Sequence, residues 1–365
     1  MNNLVVQVLK NPLIIDDFTD NDWMLFVAQG YATYLLGRLC NVISAAGLIE
    51  STPDKVKWHL LSAERVSQAH NRDVAIEVRK IKQVLKISGV QPVFLKGTAY
   101  LLANDIAAQG RVFADVDVYV PREKIPVVEN ALRWGGWIQE KLNRHDQAYY
   151  RKWMHELPPM VNKARGTTLD VHHSLLPLTS RFKLDSNKLN VVDINIQNVL
   201  PATDRLLHSI VHLFMETEFD KGLRDLSDID LLIREHSGKN QYFWIEIITR
   251  AKELGIGRLL FYGVRYSQLI LATPVNESVS TQIEALYAPF KPVLKVMDCV
   301  MLKAITTPKS LDKSVATNVA HFALFLRGHW LKMPIHILLY HTAVKSLCNL
   351  TQLFWNGEDA ANKNA

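Results

Sequence analysis

The sequence predicts an α+β protein, in which a small mixed sheet with helices forms the core and helical regions lie on both sides of it. Before about Ser88, apolar residues recur at three- and four-residue steps, as in buried helix stripes. From Gly89 to about residue 180, short β-prone segments replace that spacing. The helical spacing returns from Asp204 onward. We therefore expect a helical region over 1–88, a core over 89–200 and a second helical region over 201–365.

The elements of the first region follow from this spacing and from one clear break. One stripe predicts a helix around Leu39, and the turn at Thr52-Pro53-Asp54 interrupts the pattern because proline favours a helix start. A long helix is then expected from about Val66, and its stripe is formed by Val74, Val78, Ile81 and Leu85.

The core is expected to alternate strands and helices. A short strand ends at Leu95 and leads into a helix through Lys96-Gly97-Thr98. A strand from Val112 to Val120 comes next, followed by a helix that ends at Gly135-Gly136. Further strands are predicted at Trp137–Glu140, Tyr149–Met154, Met160–Lys163 and Thr168–His173. In the last region, Thr273-Pro274 marks a break, and long apolar helices are expected from Phe322 to Phe354.

Composition and charge narrow the function classes. Of the 365 residues, 48% are hydrophobic and 21% are charged, which is typical of a globular protein and unlike a disordered chain. The formal net charge of +6 suits an anionic small molecule such as a nucleotide. Nucleic acid ranks lower as a partner, because no run of lysine and arginine with interleaved aromatic residues stands out.

The cysteines and the hydropathy pattern predict a cytoplasmic location. Cys40, Cys299 and Cys348 lie far apart, so they form neither a CxxC metal motif nor an even set of disulfides. The first ten residues lack the pattern of a signal peptide. No stretch offers 18 or more apolar residues without charge, so no transmembrane segment is expected.

The most informative segment carries two aspartates on a predicted strand. Asp115 and Asp117 are two residues apart, so their side chains point to the same face, whereas Val116 and Val118 point into the core. Two adjacent carboxylates repel each other unless a cation or a shared proton lies between them. A hard divalent ion that also binds phosphate oxygens is the usual solution. Taken alone, the pair fits a solvent-facing edge pair equally well.

The surrounding motifs favour a nucleotide site. Gly97 lets the backbone approach a phosphate, and Thr98 offers a hydroxyl at the expected helix N-cap. Downstream, the strand Leu169-Asp170-Val171-His172 places Asp170 and His172 on one face.

This order of elements resembles the polymerase-β-like nucleotidyltransferases. It is similar in particular to a bacterial family of uncharacterised nucleotidyltransferases with an LKG turn. The matching segments are Leu95-Lys96-Gly97, Arg111 with Asp115-Val116-Asp117, His155-Glu156-Leu157-Pro158-Pro159, and Leu169-Asp170-Val171-His172. One departure from the wider superfamily is the spacing of eighteen positions between Gly97 and Asp115, where about ten residues are usual.

The resemblance implies a role for each of these residues. Asp115 and Asp117 would hold Mg²⁺ or Mn²⁺, and Asp170 would complete the metal site or take the proton from the acceptor hydroxyl. Gly97 and Thr98 would cradle the triphosphate of the NTP, and Lys96 or Arg111 would supply positive charge. His172 fits either a substrate contact or a structural hydrogen bond. His155 and Glu156 fit either the acceptor pocket or an ordinary strand end.

Two further motifs resemble sites but also fit ordinary packing. Asp228-Ile229-Asp230 repeats the DxD pattern, yet the surrounding leucines and isoleucines keep helical spacing, so we expect a helix away from the metal. His208 and His212 have the i,i+4 spacing of zinc ligands, but no HExxH motif accompanies them, so helix packing or cleft lining is favoured.

These observations lead to one expected function and one alternative. The first is a metal-dependent enzyme that transfers a nucleoside monophosphate from an NTP to a hydroxyl of an unidentified acceptor, either a small molecule or a protein. The alternative is a non-catalytic nucleotide-binding or scaffold module whose helical arms bind a protein partner. On the first hypothesis, changing Asp115 or Asp117 to asparagine abolishes nucleotide binding and leaves the fold intact.

Overall fold

The computed structural model describes residues 3–113, 115–139, 144–194 and 197–340, together with 342 and 344. Its N-terminal region is helical, as predicted. The helices described there are α1 (Leu4–Lys10), α2 (Asp20–Ala32), α3 (Leu36–Ala45) and α4 (Asp54–Lys86). Helix α4 begins directly after Pro53, several turns before the predicted start near Val66, because the proline break itself marks the helix start.

The middle of the chain forms the sheet and the helices that connect its strands. The strands are β1 (Val93–Phe94), β2 (Val116–Tyr119), β3 (Trp137–Gln139), β4 (Met160–Asn162), β5 (Thr168–His172), β6 (Val192–Ile194) and β7 (Gln197–Val199). The connecting helices are α5 (Lys96–Ala103), α6 (Ile125–Trp134) and α7 (Arg144–Trp153). This architecture, with helices before and after the sheet, confirms the predicted α+β class.

The sheet order brings the two aspartate-bearing strands together. In the described residues the sheet has seven strands in the order β3-β4-β5-β2-β1-β7-β6. Strand β2 pairs with β1 in the antiparallel sense and with β5 in the parallel sense. In the β2–β5 register, Asp117 lies directly opposite Asp170. The third carboxylate therefore comes from the neighbouring strand, at the same level as the DxD pair.

Three segments of the core differ from the sequence prediction. The strand predicted over 112–120 is confirmed only for Val116–Tyr119, so Asp115 lies just before β2. The strand expected at Tyr149–Met154 is wrong, because that segment belongs to α7. Its aromatic residues imitate a strand, but Tyr149 and Trp153 are four residues apart and their rings contact each other along one helix face. The antiparallel pair of β6 and β7 was not predicted, because its strands are only three residues long and half of their residues are polar.

The C-terminal region is helical. Its helices are α8 (Ala202–Met215), α9 (Gly222–Lys239), α10 (Phe243–Glu253), α11 (Gly257–Leu271), α12 (Glu277–Tyr287), α13 (Lys291–Thr306) and α14 (Val315–Lys332). The helices predicted over 322–354 are confirmed as far as Lys332 and, after a break at Met333-Pro334, again over 335–340. The rest of that prediction lies mostly outside the described residues, as do Ala114, Glu140 and Cys348.

One hydrophobic core joins the three regions. Buried apolar side chains from Leu4 in α1 to Leu331 in α14 form a single contiguous cluster that includes the inner faces of β2 and β5. Helix α5 contacts α8 through a hydrogen bond between the Tyr100 and Ser209 hydroxyls. Among the described helices, none combines the length and apolarity that crossing a bilayer requires.

Candidate active site

Three carboxylates meet at the junction of β2 and β5. One oxygen each of Asp115, Asp117 and Asp170 lies within 4.8 Å of the others. Asp117 is only 2% exposed, and Oδ1 of Asp170 is buried without a hydrogen-bond partner. A buried, unpaired carboxylate oxygen is costly unless a cation or proton satisfies it. The donor set of oxygens alone therefore fits a hard divalent ion such as Mg²⁺ or Mn²⁺.

Two basic side chains hold Asp117 in place. Nζ of Lys96 donates to Oδ1 of Asp117 at 2.7 Å, and Nε2 of His172 lies 2.9 Å from the same oxygen. Burial alone would raise the pKa of Asp117, but Lys96 and His172 lower that pKa well below its ordinary value. Burial would lower the pKa of Lys96, yet Asp117, Glu156 and Asp115 outweigh it and raise that pKa. Asp117 and Lys96 are therefore both charged at neutral pH.

Asp170 has the opposite electrostatic character. Burial, together with the nearby carboxylates of Asp117, Glu156 and Asp115, raises the pKa of Asp170 to about 8. Without a bound cation, this carboxyl group keeps its proton at pH 7. A divalent ion between the three side chains would favour the ionised form, so ionisation of Asp170 is coupled to cation binding.

The Lys96-Gly97-Thr98 turn differs in detail from the expected phosphate loop. Lys96 opens α5 with φ of 47°, a left-handed backbone that costs a lysine on the order of 1 kcal/mol. The N-cap is Leu95, so the prediction that Thr98 caps the helix is wrong. Thr98 lies one turn further in, is buried, and its Oγ1 has no hydrogen-bond partner. Gly97 is required because a Cβ there would overlap the ring of Phe113.

A cleft of about 350 Å³ opens beside these residues, between α5 and the start of α9. Basic, acidic and aromatic side chains line it. They are the basic residues Lys96, Arg111, Lys221 and Arg224, the acidic residues Asp115, Asp117, Glu216, Glu218, Asp220 and Asp225, and Tyr34, Gly97, Phe113 and His212. A second cavity of about 500 Å³ lies between α4 and the turn that precedes β5, and it also contains Asp115. Asp115 thus stands between two spaces, each large enough for part of a substrate.

Arg111 and Asp228 form a buried ion pair behind the cleft. Arg111 donates to Oδ2 of Asp228, and Nη2 of Arg38 lies 2.8 Å from the other oxygen of that carboxylate. Arg111 is also 3.7 Å from Asp225. Asp228 lies on helix α9, which confirms the helical interpretation of Asp228-Ile229-Asp230. Its partner Arg111 lines the cleft, so Asp228 supports the site from behind, a role that helical spacing did not predict.

Asp228→Asn is expected to lower the free energy of unfolding by about 3–5 kcal/mol, because the buried Arg38 loses its carboxylate partner and Arg111 keeps only the more distant Asp225. Asp230→Asn is the matched control on the same helix, since its ion-pair partner Arg234 is 40% exposed. We expect a loss of about 1 kcal/mol there. Urea denaturation followed by circular dichroism measures both values. Equal losses in the two variants would contradict the assigned role of Asp228.

The histidines occupy different positions around the triad. His172 is buried between Asp117 and Glu156, with Nδ1 of His172 3.4 Å from Oε2 of Glu156. His155 lies beside them, and its Nε2 is 3.8 Å from the same oxygen. On α8, His212 lines the cleft and His208 is buried, which fits packing and cleft lining better than a zinc site.

Stability is expected to fall on acidification, with His208 contributing. Burial first, and then Lys96 and His212, lower the pKa of His208 well below its ordinary value. Below about pH 6.5 the unfolded chain takes up a proton that the folded state excludes, so stability decreases. The melting temperature should therefore drop less between pH 7.5 and pH 5 in His208→Gln than in the parent. His336 is exposed, so the melting temperature of His336→Gln should fall as much as that of the parent. An equal fall in His208→Gln would contradict the contribution assigned to His208.

Comparison with known families identifies the group to which this chain is related. The family model described as uncharacterised nucleotidyltransferase matches residues 19–272, which is more than half of the chain. The chain belongs to this family. Comparison with curated proteins and with solved structures finds no match.

The range matched by the family model contains the whole candidate site. It includes α2 to α11, and therefore every residue of the carboxylate triad, the Lys96 turn and the cleft helices α8 and α9. The sequence had indicated the three aspartates, Lys96, Gly97 and Arg111. It did not indicate Tyr34, Lys221 or Arg224, which reach the cleft from the turn after α2 and from the start of α9, where the sequence has no readable motif.

Proposed function

We propose that this nucleotidyltransferase transfers a nucleoside monophosphate from an NTP to a hydroxyl of an acceptor, using a divalent cation held by Asp115, Asp117 and Asp170. The observation that carries the proposal is the meeting of three carboxylates within 4.8 Å, with one buried Asp170 oxygen unpaired. The ion, Mg²⁺ or Mn²⁺, would neutralise phosphate charge as the α-phosphorus is attacked. The LKG turn and the DxD pair support assignment to the LKG branch of the family.

The residues around the triad have separable tasks in this proposal. Lys96 and His172 keep Asp117 ionised and fixed in one orientation. Asp170, ionised once the cation is bound, accepts the proton of the acceptor hydroxyl through the carboxylate oxygen that has no protein partner. His172 thus acts on Asp117 in the proposal, and its contact with the nucleotide remains a prediction.

The two cavities suggest where the substrates bind. We place the triphosphate in the cleft between α5 and α9, where Lys221 and the ion-paired Arg111 and Arg224 provide positive charge. Gly97 lines the same cleft, and close approach of a phosphate to its backbone remains a prediction, because the ring of Phe113 fills the space beside its Cα. Lys96 donates its hydrogen bond to Asp117, so its effect on the phosphates is indirect: it holds the carboxylate that binds the cation. Thr98 is buried in α5, and its role toward the triphosphate remains a prediction. The acceptor would enter from the cavity on the α4 side of Asp115.

The acceptor class and the location are part of the proposal. A small molecule or a protein fits the cavity on the α4 side better than nucleic acid does, because Asp73 lines it and its arginine, Arg165, is already paired with Glu77. We place the protein in the cytoplasm, where Mg²⁺ and NTPs are available and where the free thiols of Cys40 and Cys299 persist.

The decisive experiment incubates the protein with each α-³²P-labelled NTP, Mg²⁺ and cell extract. The expected result is pyrophosphate release together with a labelled product that forms only when protein, metal and extract are all present. Asp115→Asn is the matched inactive control, because it removes one metal ligand at a half-buried position.

Two outcomes would contradict the proposal. If Mg²⁺ and an NTP raise the melting temperature but no NTP is ever cleaved, the chain is a non-catalytic nucleotide-binding module. If product forms equally with the Asp115→Asn control, the carboxylate triad is not the catalytic centre.

A further inference from the structure

A second group of potential metal ligands adjoins the aspartate triad. His155, Glu156 and His172 each offer one ligand atom, and these atoms lie within 4.8 Å of one another. The backbone fixes their positions. The segment at 155–157 runs antiparallel to 171–173, with hydrogen bonds from His173 N to His155 O at 2.8 Å and from Leu157 N to Val171 O at 2.9 Å. The three side chains therefore converge from two paired backbone segments.

The distances between ligand atoms suit a small cation. Oε2 of Glu156 is 3.4 Å from Nδ1 of His172 and 3.8 Å from Nε2 of His155. Four ligands placed tetrahedrally at about 2.1 Å from a zinc ion are separated by roughly 3.4 Å. Both distances from Glu156 are within a few tenths of an ångström of that value, and the two histidine nitrogens lie within 4.8 Å of each other.

The hydrogen bonds of His172 leave one nitrogen without a partner. Nε2 of His172 lies 2.9 Å from an Asp117 oxygen, an acceptor, so this nitrogen carries the proton. Nδ1 then presents a lone pair toward Glu156, which is also an acceptor. His172 is 1% exposed, and its Nδ1 is buried without a hydrogen-bond partner. Two acceptors facing each other in a buried site repel unless a cation or a second proton lies between them.

We propose that His155, Glu156 and His172 bind a zinc-class transition-metal ion, at a site distinct from the hard-cation site of the three aspartates. A site of two imidazoles and one carboxylate binds such ions in preference to Mg²⁺. Three protein ligands also leave one coordination position open for water or a substrate oxygen. Asp117 orients His172 through its other nitrogen, the arrangement common around metal-bound histidines.

The other histidine–carboxylate group in the described residues has no acceptor atoms that face each other without a positive charge between them. Asp105, Glu235 and His236 also lie within 4.8 Å of one another. There, however, Arg205 binds both oxygens of Asp105 at 2.7 and 2.8 Å, and Nε2 of His236 contacts the same carboxylate at 3.1 Å. Because the arginine already supplies the counter-charge, this group provides a matched negative control.

The test uses Co²⁺ as a spectroscopic probe in the full chain. The protein is stripped with EDTA, given excess Mg²⁺ to fill the aspartate site, and titrated with Co²⁺ alone. We expect one equivalent to bind, with visible d–d bands as intense as those of four- or five-coordinate cobalt, and Zn²⁺ should bleach them. His155→Asn and Glu156→Gln should each weaken Co²⁺ binding by more than about tenfold. Asp115→Asn and His236→Asn should retain the bands.

The remaining outcomes would overturn the proposal. A parent protein without intense bands indicates that a second proton, and no metal, lies between His172 and Glu156. Bands that persist in both ligand variants, or that vanish in Asp115→Asn, place the ion elsewhere. Metal-free melting curves verify that each variant is folded. Because no nucleotide is present, the result is independent of the proposed transferase activity.

Discussion

Asp115→Asn is expected to reduce nucleotide transfer by at least about 10³-fold while leaving the fold intact, because metal-ion catalysis supplies several kcal/mol of charge stabilisation. Asp115 lies within 4.8 Å of the other two aspartates. No ion pair is seen for it among the described residues, and it is only half-buried. Its loss therefore removes a metal ligand without leaving a buried cation unpaired. The measurement is kcat/KM for pyrophosphate release, alongside the melting temperature of the metal-free protein.

The comparison with Asp117→Asn makes this prediction specific. From the sequence, the two aspartates are equivalent, and either change should leave the fold intact. In the structure, Asp117 is the ion-pair partner of Lys96 and the hydrogen-bond partner of His172. Asp117→Asn is therefore expected to lose stability as well as activity, by about 3 kcal/mol or more, since a buried charge loses its partner.

Circular dichroism melts of both variants separate the two effects. Asp115→Asn should melt within a few degrees of the parent, and Asp117→Asn should melt clearly lower. Parental turnover in Asp115→Asn would show that this side chain is not a metal ligand. Equal melting temperatures in the two variants would show that the Lys96–Asp117 pair contributes little to the fold.

The second large effect is expected for Asp170→Asn. Turnover should fall by about 10²–10⁴-fold, the range for losing a positioned general base. Ground-state affinity for the Mg²⁺–NTP complex should stay within about tenfold of the parent, because Asp115 and Asp117 still provide two oxygen ligands. Isothermal titration gives the affinity, and single-turnover kinetics give the rate of the chemical step.

The pH dependence of folding stability provides an independent test of the electrostatic role of Asp170. Its raised pKa means that the folded state holds a proton that the unfolded chain releases above about pH 4. In the metal-free parent, this group therefore lowers stability progressively as the pH rises from about 4 to 8. Asp170→Asn removes that loss, so the variant should be at least as stable as the parent at pH 8. A variant with parental turnover would refute the base role, and one that is less stable than the parent would refute the electrostatic argument.

Local sequence patterns by themselves determine which side chains of this protein share a face. The alternation of Asp115, Val116, Asp117 and Val118 places the carboxylates on one face and the valines on the other, because strands have a period of two. The same rule places Asp170 and His172 together. Helical spacing around Asp228 correctly assigns that second DxD motif to a helix. In each case the local period is sufficient to predict which side chains share a face, because the apolar residues are buried together on the opposite face.

The tertiary structure decided which of these faces meet. The parallel pairing of β2 and β5 sets Asp117 opposite Asp170, and no spacing in the sequence specifies that register. Lys96, Asp117, Glu156 and His172 come together from four separate segments. The same holds for Arg38, Arg111 and Asp228, whose ion pairs join the N-terminal helices, the core and α9. Contacts between distant segments depend on how the whole chain packs, whereas the sequence pattern records only the local periodicity of burial.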